Sequence, residues 1–523
     1  MDFFKKSKTD KTQTNYSDSN NQNRISSHLP ENIQYFGFAL DRCSDIVIRE
    51  FVIGGKYDAV ILFSQVLVDM KSIDTDVLKP LYQVGKSIDI THPEKVKSFL
   101  VRQIIPVSKI ETGKLYDEIF DRLFIGETIL LVDGLSEAFF ISLQNLEKRN
   151  IEEPLTDPSL RGPRDGFTEE IATNMALIRK RLKTSKLKFE EIKLGKISKT
   201  KTILVYLQGI SDDAIVSEIR ARMLQIDVDA ILESGNIEEF IEDSPLSLFP
   251  QINNTERPDK VVSCLLEGQV GIMIDGTPFV LIAPQTLVQM LQAPDDYYER
   301  HITASFIRLI RYFFYGVALT LPSFYIAFST FHQGMIPTSL LYSMAAGRTN
   351  VPFPALIEAF IMELTFEGLR EAGIRLPKAV GQSVSIVGAL VIGQAAVQAG
   401  IVSAAMVIIV SLTGIASFIF PKYSLALSIR LLRFVLMILA GTLGLFGIFL
   451  GIFIIMIHMC NLRSFGVPFL APLAPLSISS FKDVFIRAPK WSMERRPGFV
   501  AKGNMIRKQS QQVQQDDFGR AEG

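Results

Sequence analysis

Four apolar stretches, at residues 312–331, 380–399, 401–420 and 434–458, constrain this chain more than any other feature. Each reaches the length of about 20 predominantly apolar residues that a helix needs to cross a bilayer. Inside hydrocarbon a helix satisfies its own backbone polar groups, so these stretches are expected as membrane-spanning helices. Gly400 alone parts the second from the third, which predicts a tight helical hairpin. Two further segments are ambiguous: 353–369, which carries glutamates, and 464–481, where Pro468, Pro472 and Pro475 argue against a straight helix. Arg308 and Arg311 precede the first stretch, Arg370, Arg375 and Lys378 precede the second, and Lys422, Arg430 and Arg433 follow the third. Positive flanks mark the cytoplasmic side. That orientation requires 353–369 to return the chain, by crossing or dipping, and 459–481 to return it once more. The N-terminal half and the basic tail from residue 486 then both face the cytoplasm.

Before residue 300 the chain is charged and mixed, and it repeats itself. LFIGETILLVDGLSEAFFISL (123–143) and LLEGQVGIMIDGTPFVLIAP (265–284) each place an Asp-Gly pair, Asp133-Gly134 and Asp275-Gly276, the same distance after a glycine, Gly126 and Gly268. An Asp-Gly between two β-rich runs is a tight hairpin signal, because glycine accepts a positive φ without a side-chain clash. Upstream, 54–69 and 195–210 read as buried strands, each followed by a helical stretch. The expected architecture is an α/β cytoplasmic region of two related subdomains, 34–150 and 151–300 with its leading linker, followed by an all-α multi-pass transmembrane bundle over 301–485. Polar ends, 1–33 and 486–523, flank it. The first has no apolar run before a cleavage site, and its composition predicts disorder.

Lys+Arg and Asp+Glu balance at 55 each, which removes bulk attraction to nucleic acid. Cys43, Cys264 and Cys460 are too scattered for a disulfide framework or a zinc site, and the five histidines form no cluster, so no metal or other cofactor is expected. No phosphate-binding loop, dinucleotide fingerprint, zinc-protease helix or nucleophile elbow is present, which disfavours an enzyme. Arg161, Arg164, Asp165, Arg257 and Asp259 lie in irregular, proline-bearing stretches. They read as loop recognition groups or, as such charges more often do, as salt bridges that fix loops.

The glutamates of EAFIMELTFEGLREAG (358–373) need an account. At about 100° per residue, Glu363, Glu367 and Glu371 share one helical stripe, with Arg370 beside them and Glu358 well around the helix. An ionised carboxylate facing lipid is too costly, so the stripe must meet protein, water or a pore. Glu367, Arg370 and Glu371 equally read as the wet end of a helix that snorkels past the headgroups. With several copies around an axis, Glu358, Glu363 and Glu367 become pore-lining candidates, since rings of carboxylate favour cations. Gly441, Gly444, Gly447 and Gly451, and likewise Gly381 and Gly388, recur at helical spacing and predict close helix packing.

EEPLTDPSLRGPRDGFTE, FPQINNTERPD, EGQVGIMIDGTPFVLIAP, VPFPALIEAFIMELTFEGLREAGIRLP and VGQSVSIVGALVIGQAAV, in that order, resemble the A subunit of spore germination receptors, the GerA family, over residues 34–499. The resemblance implies a multi-pass protein of the spore inner membrane that works with a transporter-like B subunit, thought to bind the nutrient, and a lipoprotein C subunit. It also implies a homo-oligomeric ring in the membrane lipid that conducts ions when nutrient binds, which makes 353–373 the natural pore helix. A second reading is a non-conducting membrane scaffold of the germination machinery, such as the stage V sporulation AF-type paralogue. A secondary transporter would show inverted repeats of broken helices, and the spans show no such symmetry.

Overall fold

The computed structural model describes residues 23–55, 57–83, 110–143, 152–154, 156–159, 161–375, 393–501 and 504–507. Two five-stranded sheets form the N-terminal half. The first contains β1 (Ile46–Ile53), β2 (Tyr57–Ser64), β3 (Ile110–Gly113), β4 (Glu127–Val132) and β5 (Ala138–Ser142). The second contains β6 (Leu187–Leu194), β7 (Thr200–Leu207), β8 (Asn253–Thr255), β9 (Val270–Ile274) and β10 (Val280–Ala283). Their spatial orders, β1-β2-β4-β5-β3 and β6-β7-β9-β10-β8, are the same order in two copies, and every pairing is antiparallel.

Helices repeat with the strands. α1 (Leu29–Ala39) precedes β1 and α2 (Tyr116–Ile125) precedes β4; α3 (Ile171–Arg181) precedes β6 and, after α4 (Asp213–Leu224) and α5 (Ser234–Ile241), α6 (Pro258–Leu266) precedes β9. Both faces of the first sheet are covered, with Ile61, Phe63 and Leu130 in one apolar cluster and Val60, Leu62 and Ile129 in another. That double burial is why β2 reads as a continuous apolar run rather than an alternation.

The correspondence reaches single atoms. The Asp133 carboxylate accepts the Leu29 N–H at 3.0 Å, and Asp275 accepts the Ile171 N–H at 3.2 Å, each across 104 residues of chain. Gly134 and Gly276 follow with φ of 83° and 93°. The Asp-Gly turn therefore serves twice: glycine closes the hairpin, and aspartate satisfies an orphan donor at the start of the packed helix. This contact also moves the expected boundary at residue 34. Ile25 and Leu29 are buried, and Asn32 donates to the Ser26 carbonyl at 2.7 Å, so residues 23–33 belong to the first subdomain.

The C-terminal half is helical: α7 (His301–Thr330), α8 (Thr338–Arg348), α9 (Ala355–Arg375), α10 (Ala404–Phe418), α11 (Tyr423–Leu443) and α12 (Leu445–Asn461). Among the described residues, α7 and α11 are long and apolar enough to cross a membrane, and α10 and α12 are shorter apolar helices. The expected stretch 380–399 lies mostly outside the described residues, with Gly381 and Gly388.

One expected span divides. Residues 434–458 belong to two helices that meet at Gly444, whose φ of 63° and ψ of −142° suit glycine and strain any residue with a side chain. Gly444 packs on Phe331 and His332 at the end of α7, whereas Lys422, just before α11, donates to the Asn254 carbonyl at 2.8 Å. The α12 end returns to the second subdomain, where His458 Nε2 lies 2.8 Å from Ser247 Oγ. α12 thus already runs back to the second subdomain before 459–481, the segment expected to make a return. Residues 463–468 instead form a small hairpin, β11 (Arg463–Ser464) with β12 (Val467–Pro468), and insert Phe465 and Val467 into the core of the second subdomain.

Candidate functional site

α9 carries four carboxylates through the helical region. Glu358 and Glu363, expected as pore-lining groups, are fully buried inside the protomer. The Glu358 carboxylate accepts the Ser403 N–H at 2.6 Å and the Ser403 hydroxyl, and it lies 3.7 Å from the Arg348 guanidinium. Ser403 Oγ also lies 3.4 Å from the Tyr325 hydroxyl. One turn further, Glu363 pairs with Arg433 of α11 at 2.6 Å, both side chains buried. Glu367 is partly exposed and accepts from Arg430 at 2.8 Å and from Arg370 at 3.1 Å, while Arg370 Nη2 donates to Ser417 Oγ at 2.7 Å. Glu371 pairs with Arg375 at the exposed end.

These contacts form a polar column along α9, matched by side chains of α8, α10 and α11. The matching is incomplete: Glu358 Oε2, Glu363 Oε1, Arg433 Nε and Nη2 and Arg370 Nε are buried and hydrogen-bond to none of the described residues. Buried polar atoms are ordinarily satisfied, so a cluster of exceptions in one column calls for an explanation. The opposite side of α9, through Ile357, Leu364, Gly368 and Glu371, is exposed. α8 has no buried residue.

The glycines pack as follows. At Gly441 a Cβ would stand 2.7 Å from Leu356, at Gly447 it would overlap the Leu439 carbonyl, and at Gly451 it would overlap the Leu436 side chain. Gly447 and Gly451 let α12 fold back on α11, while Gly444 breaks the helix rather than packing within it.

The loop charges sit among their own neighbours. Arg161 and Arg164 are exposed, 3.5 Å from Glu299 and 3.9 Å from Glu153; Asp165 pairs with Arg181. Arg257 and Asp259 are buried, joined by bonds of 3.0 and 2.7 Å, and Asp259 also accepts the Tyr298 hydroxyl at 2.7 Å. Glu299, the partner of Arg161, adjoins Tyr298, the donor to Asp259, so one segment links the two groups of loop charges.

A joint that the sequence did not announce lies where the helices meet the second subdomain. Asp296 accepts from Arg308 at 3.1 Å and from Arg311 at 2.9 and 3.1 Å, and Arg308 also reaches Asp483 at 2.7 Å. Arg308 and Arg311 carried only a topological signal, and nothing linked them to Asp483 far along the chain.

Residues 34–499 match the family described as the Bacillus/Clostridium GerA spore germination protein. The chain is 46% identical over 485 residues to spore germination protein KA of Bacillus subtilis (strain 168), covering 92% of this chain and 88% of that protein. It is 47% identical over 486 residues to the uncharacterized membrane protein YfkQ of the same organism, covering 92% and 94%. A crystal structure of the N-terminal domain of the A subunit of the Bacillus megaterium spore germinant receptor GerK3 is 34% identical, with a TM-score of 0.39 over 50% of this chain and 96% of that one. The chain belongs to the GerA family of spore germination proteins.

Proposed function

We propose that this protein is the A subunit of a nutrient-germinant receptor, and that copies of it surround a nutrient-gated cation path in the spore inner membrane. Its partners on this reading are a transporter-like B subunit and a lipoprotein C subunit, and both the α/β half and the C-terminal tail face the cytoplasm. The observation that carries the reading is the ionic column of α9, Glu358, Glu363 and Glu367, of which the first two are buried and incompletely satisfied. Intramembrane ionisable groups are costly and mark ion or proton paths. In the protomer these carboxylates are held by Ser403, Arg433 and Arg430; opening releases them from those partners toward a central path lined by the exposed side of α9. The nearly uncovered α8 supports assembly with further copies.

Reconstitution of the complete chain with its B and C subunits in a planar bilayer, recording current with and without nutrient, tests this. Nutrient-dependent current whose cation preference weakens in Glu363→Gln supports conduction. Absence of current from a correctly assembled complex removes it. One observation favours a non-conducting scaffold: Glu363 and Arg433 neutralise each other within a single protomer. On that reading Glu363→Gln leaves ion flux unchanged.

A further inference from the structure

A cavity of about 450 Å³ lies where α6, the segment from Gln285 to Tyr298 and the tail residues 490–499 with Arg507 meet. That volume is in the range of small-ligand sites, roughly 300–1,000 Å³. It is separate from the column on α9 and does not depend on conduction.

The charge of its lining is unevenly spent. Each acidic side chain already has a cation: Asp259 is held by Arg257 at 3.0 and 2.7 Å, Asp483 by Arg308 at 2.7 Å, and Glu267 by Arg507. Arg507 is spent on Glu267, and Arg496 is less fully committed, although Glu267 also lies within its electrostatic reach. Arg496 donates to the Leu266 and Ile506 carbonyls at 2.8 Å each and to Asn504 at 3.1 and 3.2 Å, all neutral acceptors. Lys260 is buried, and its Nζ hydrogen-bonds to none of the described residues. Burial and then the nearby Lys422 hold its pKa well below the usual lysine value, against the pull of Asp157, and a further anion beside it would favour its charged form. Lys490 is exposed. Val288, Pro497 and Phe499 supply apolar wall.

We propose that this cavity binds a small organic carboxylate, its anionic group met by the lining cations, Arg496 foremost, and its apolar body by Val288 and Phe499. Charge-assisted bonds from a guanidinium to a carboxylate are among the strongest polar contacts, and here a partly water-excluded site strengthens them. Arg496 and Phe499 belong to the tail, whereas Lys260 belongs to α6, so an occupant ties the tail to the second subdomain. On the far wall Asp483 contacts Arg308 at the foot of α7. The ligand therefore sits at the joint between the α/β half and the helices.

The chain's one tryptophan, Trp491, follows the lining residue Lys490 in the chain and is exposed, so its fluorescence is read alongside an independent measure of binding. The detergent-purified complete chain is titrated with acetate, benzoate and phthalate, with benzamide as the uncharged counterpart of benzoate, following Trp491 fluorescence and thermal unfolding. Saturable binding of a carboxylate is expected, about tenfold or more weaker for benzamide, and weakened about tenfold by Arg496→Gln at an unchanged melting temperature. Where Arg496→Gln itself lowers the melting temperature, the exposed Lys490→Gln decides, with weaker carboxylate and unchanged benzamide binding expected. The proposal is overturned if none of the three carboxylates binds saturably, if benzamide binds as well as benzoate, or if both substitutions bind carboxylate like the parent chain.

Discussion

Arg179 and Asp45 join the two α/β subdomains through parallel hydrogen bonds of 2.8 Å, with both side chains fully buried. The guanidinium also donates to the Thr184 carbonyl at 2.9 Å and lies over the Phe124 and Phe189 rings at 4.9 and 4.8 Å. Removing one partner of such a pair strands a buried charge, at a cost of about 3–5 kcal/mol. Asp45→Ala is therefore expected to lower the unfolding free energy of the α/β half by that amount, measured by denaturant titration followed by circular dichroism. Asp45→Leu with Arg179→Met is expected to recover most of it, because no unpaired charge remains.

Gly447 and Gly441 separate backbone from side-chain crowding. A Cβ at Gly447 would meet the Leu439 carbonyl, which moves only if α11 and α12 part; at Gly441 it would meet the end of the Leu356 side chain, which can change rotamer. Overpacking costs about 1–3 kcal/mol. Gly447→Ala is expected at or beyond the upper end and Gly441→Ala near the lower, read as melting temperatures of the detergent-solubilised protein.

Much of the architecture was legible because it follows local rules. The Asp-Gly turns, the buried β2 and β7 and the repeat itself follow from period, glycine and turn chemistry, and the two sheets have one strand order. The break at Gly444 was not legible, since a glycine at helical spacing reads the same whether it packs or bends; its φ of 63° accompanies close packing on Phe331 and His332. The position of α12 followed from that break and was missed with it. The glutamates of α9 were visible as costly, but their partners were not. Arg430 and Arg433 read as membrane flanks, and only the antiparallel meeting of α9 with α11 turns them toward Glu367 and Glu363.

Glu238 on α5 gives a pH signature. Burial, and then the neighbouring Glu242, Glu233 and Glu239, raise its pKa to about 7. In the unfolded chain a glutamate titrates near 4.3. The folded state thus holds the proton more tightly, and the stability this group contributes is complete below the unfolded pKa and lost as pH rises through about 7. Glu238→Gln is expected to flatten the fall in stability between about pH 4 and 7 and to leave the variant more stable than the parent at pH 8. Urea midpoints measured across that range check it; an unchanged slope shows that Glu238 titrates normally.

The pair of Glu363 and Arg433 divides structural cost from function. Arg433→Met leaves Glu363 buried beside Arg370 and Glu367 but without its 2.6 Å partner, and a loss of about 3–5 kcal/mol is expected in detergent melting. Adding Glu363→Leu removes the stranded charge and is expected to restore the stability to within about 1–2 kcal/mol of the parent, as apolar replacements of buried pairs do. If α9 serves only as a packed strut, spores carrying the double variant germinate as the parent does. If the carboxylate takes part in an ion path, the stable double variant germinates slowly and its reconstituted complex loses cation preference, since Leu offers hydrocarbon where a carboxylate met the ion. Comparing the double variant with the parent at matched melting temperature therefore assigns the defect to conduction rather than to unfolding.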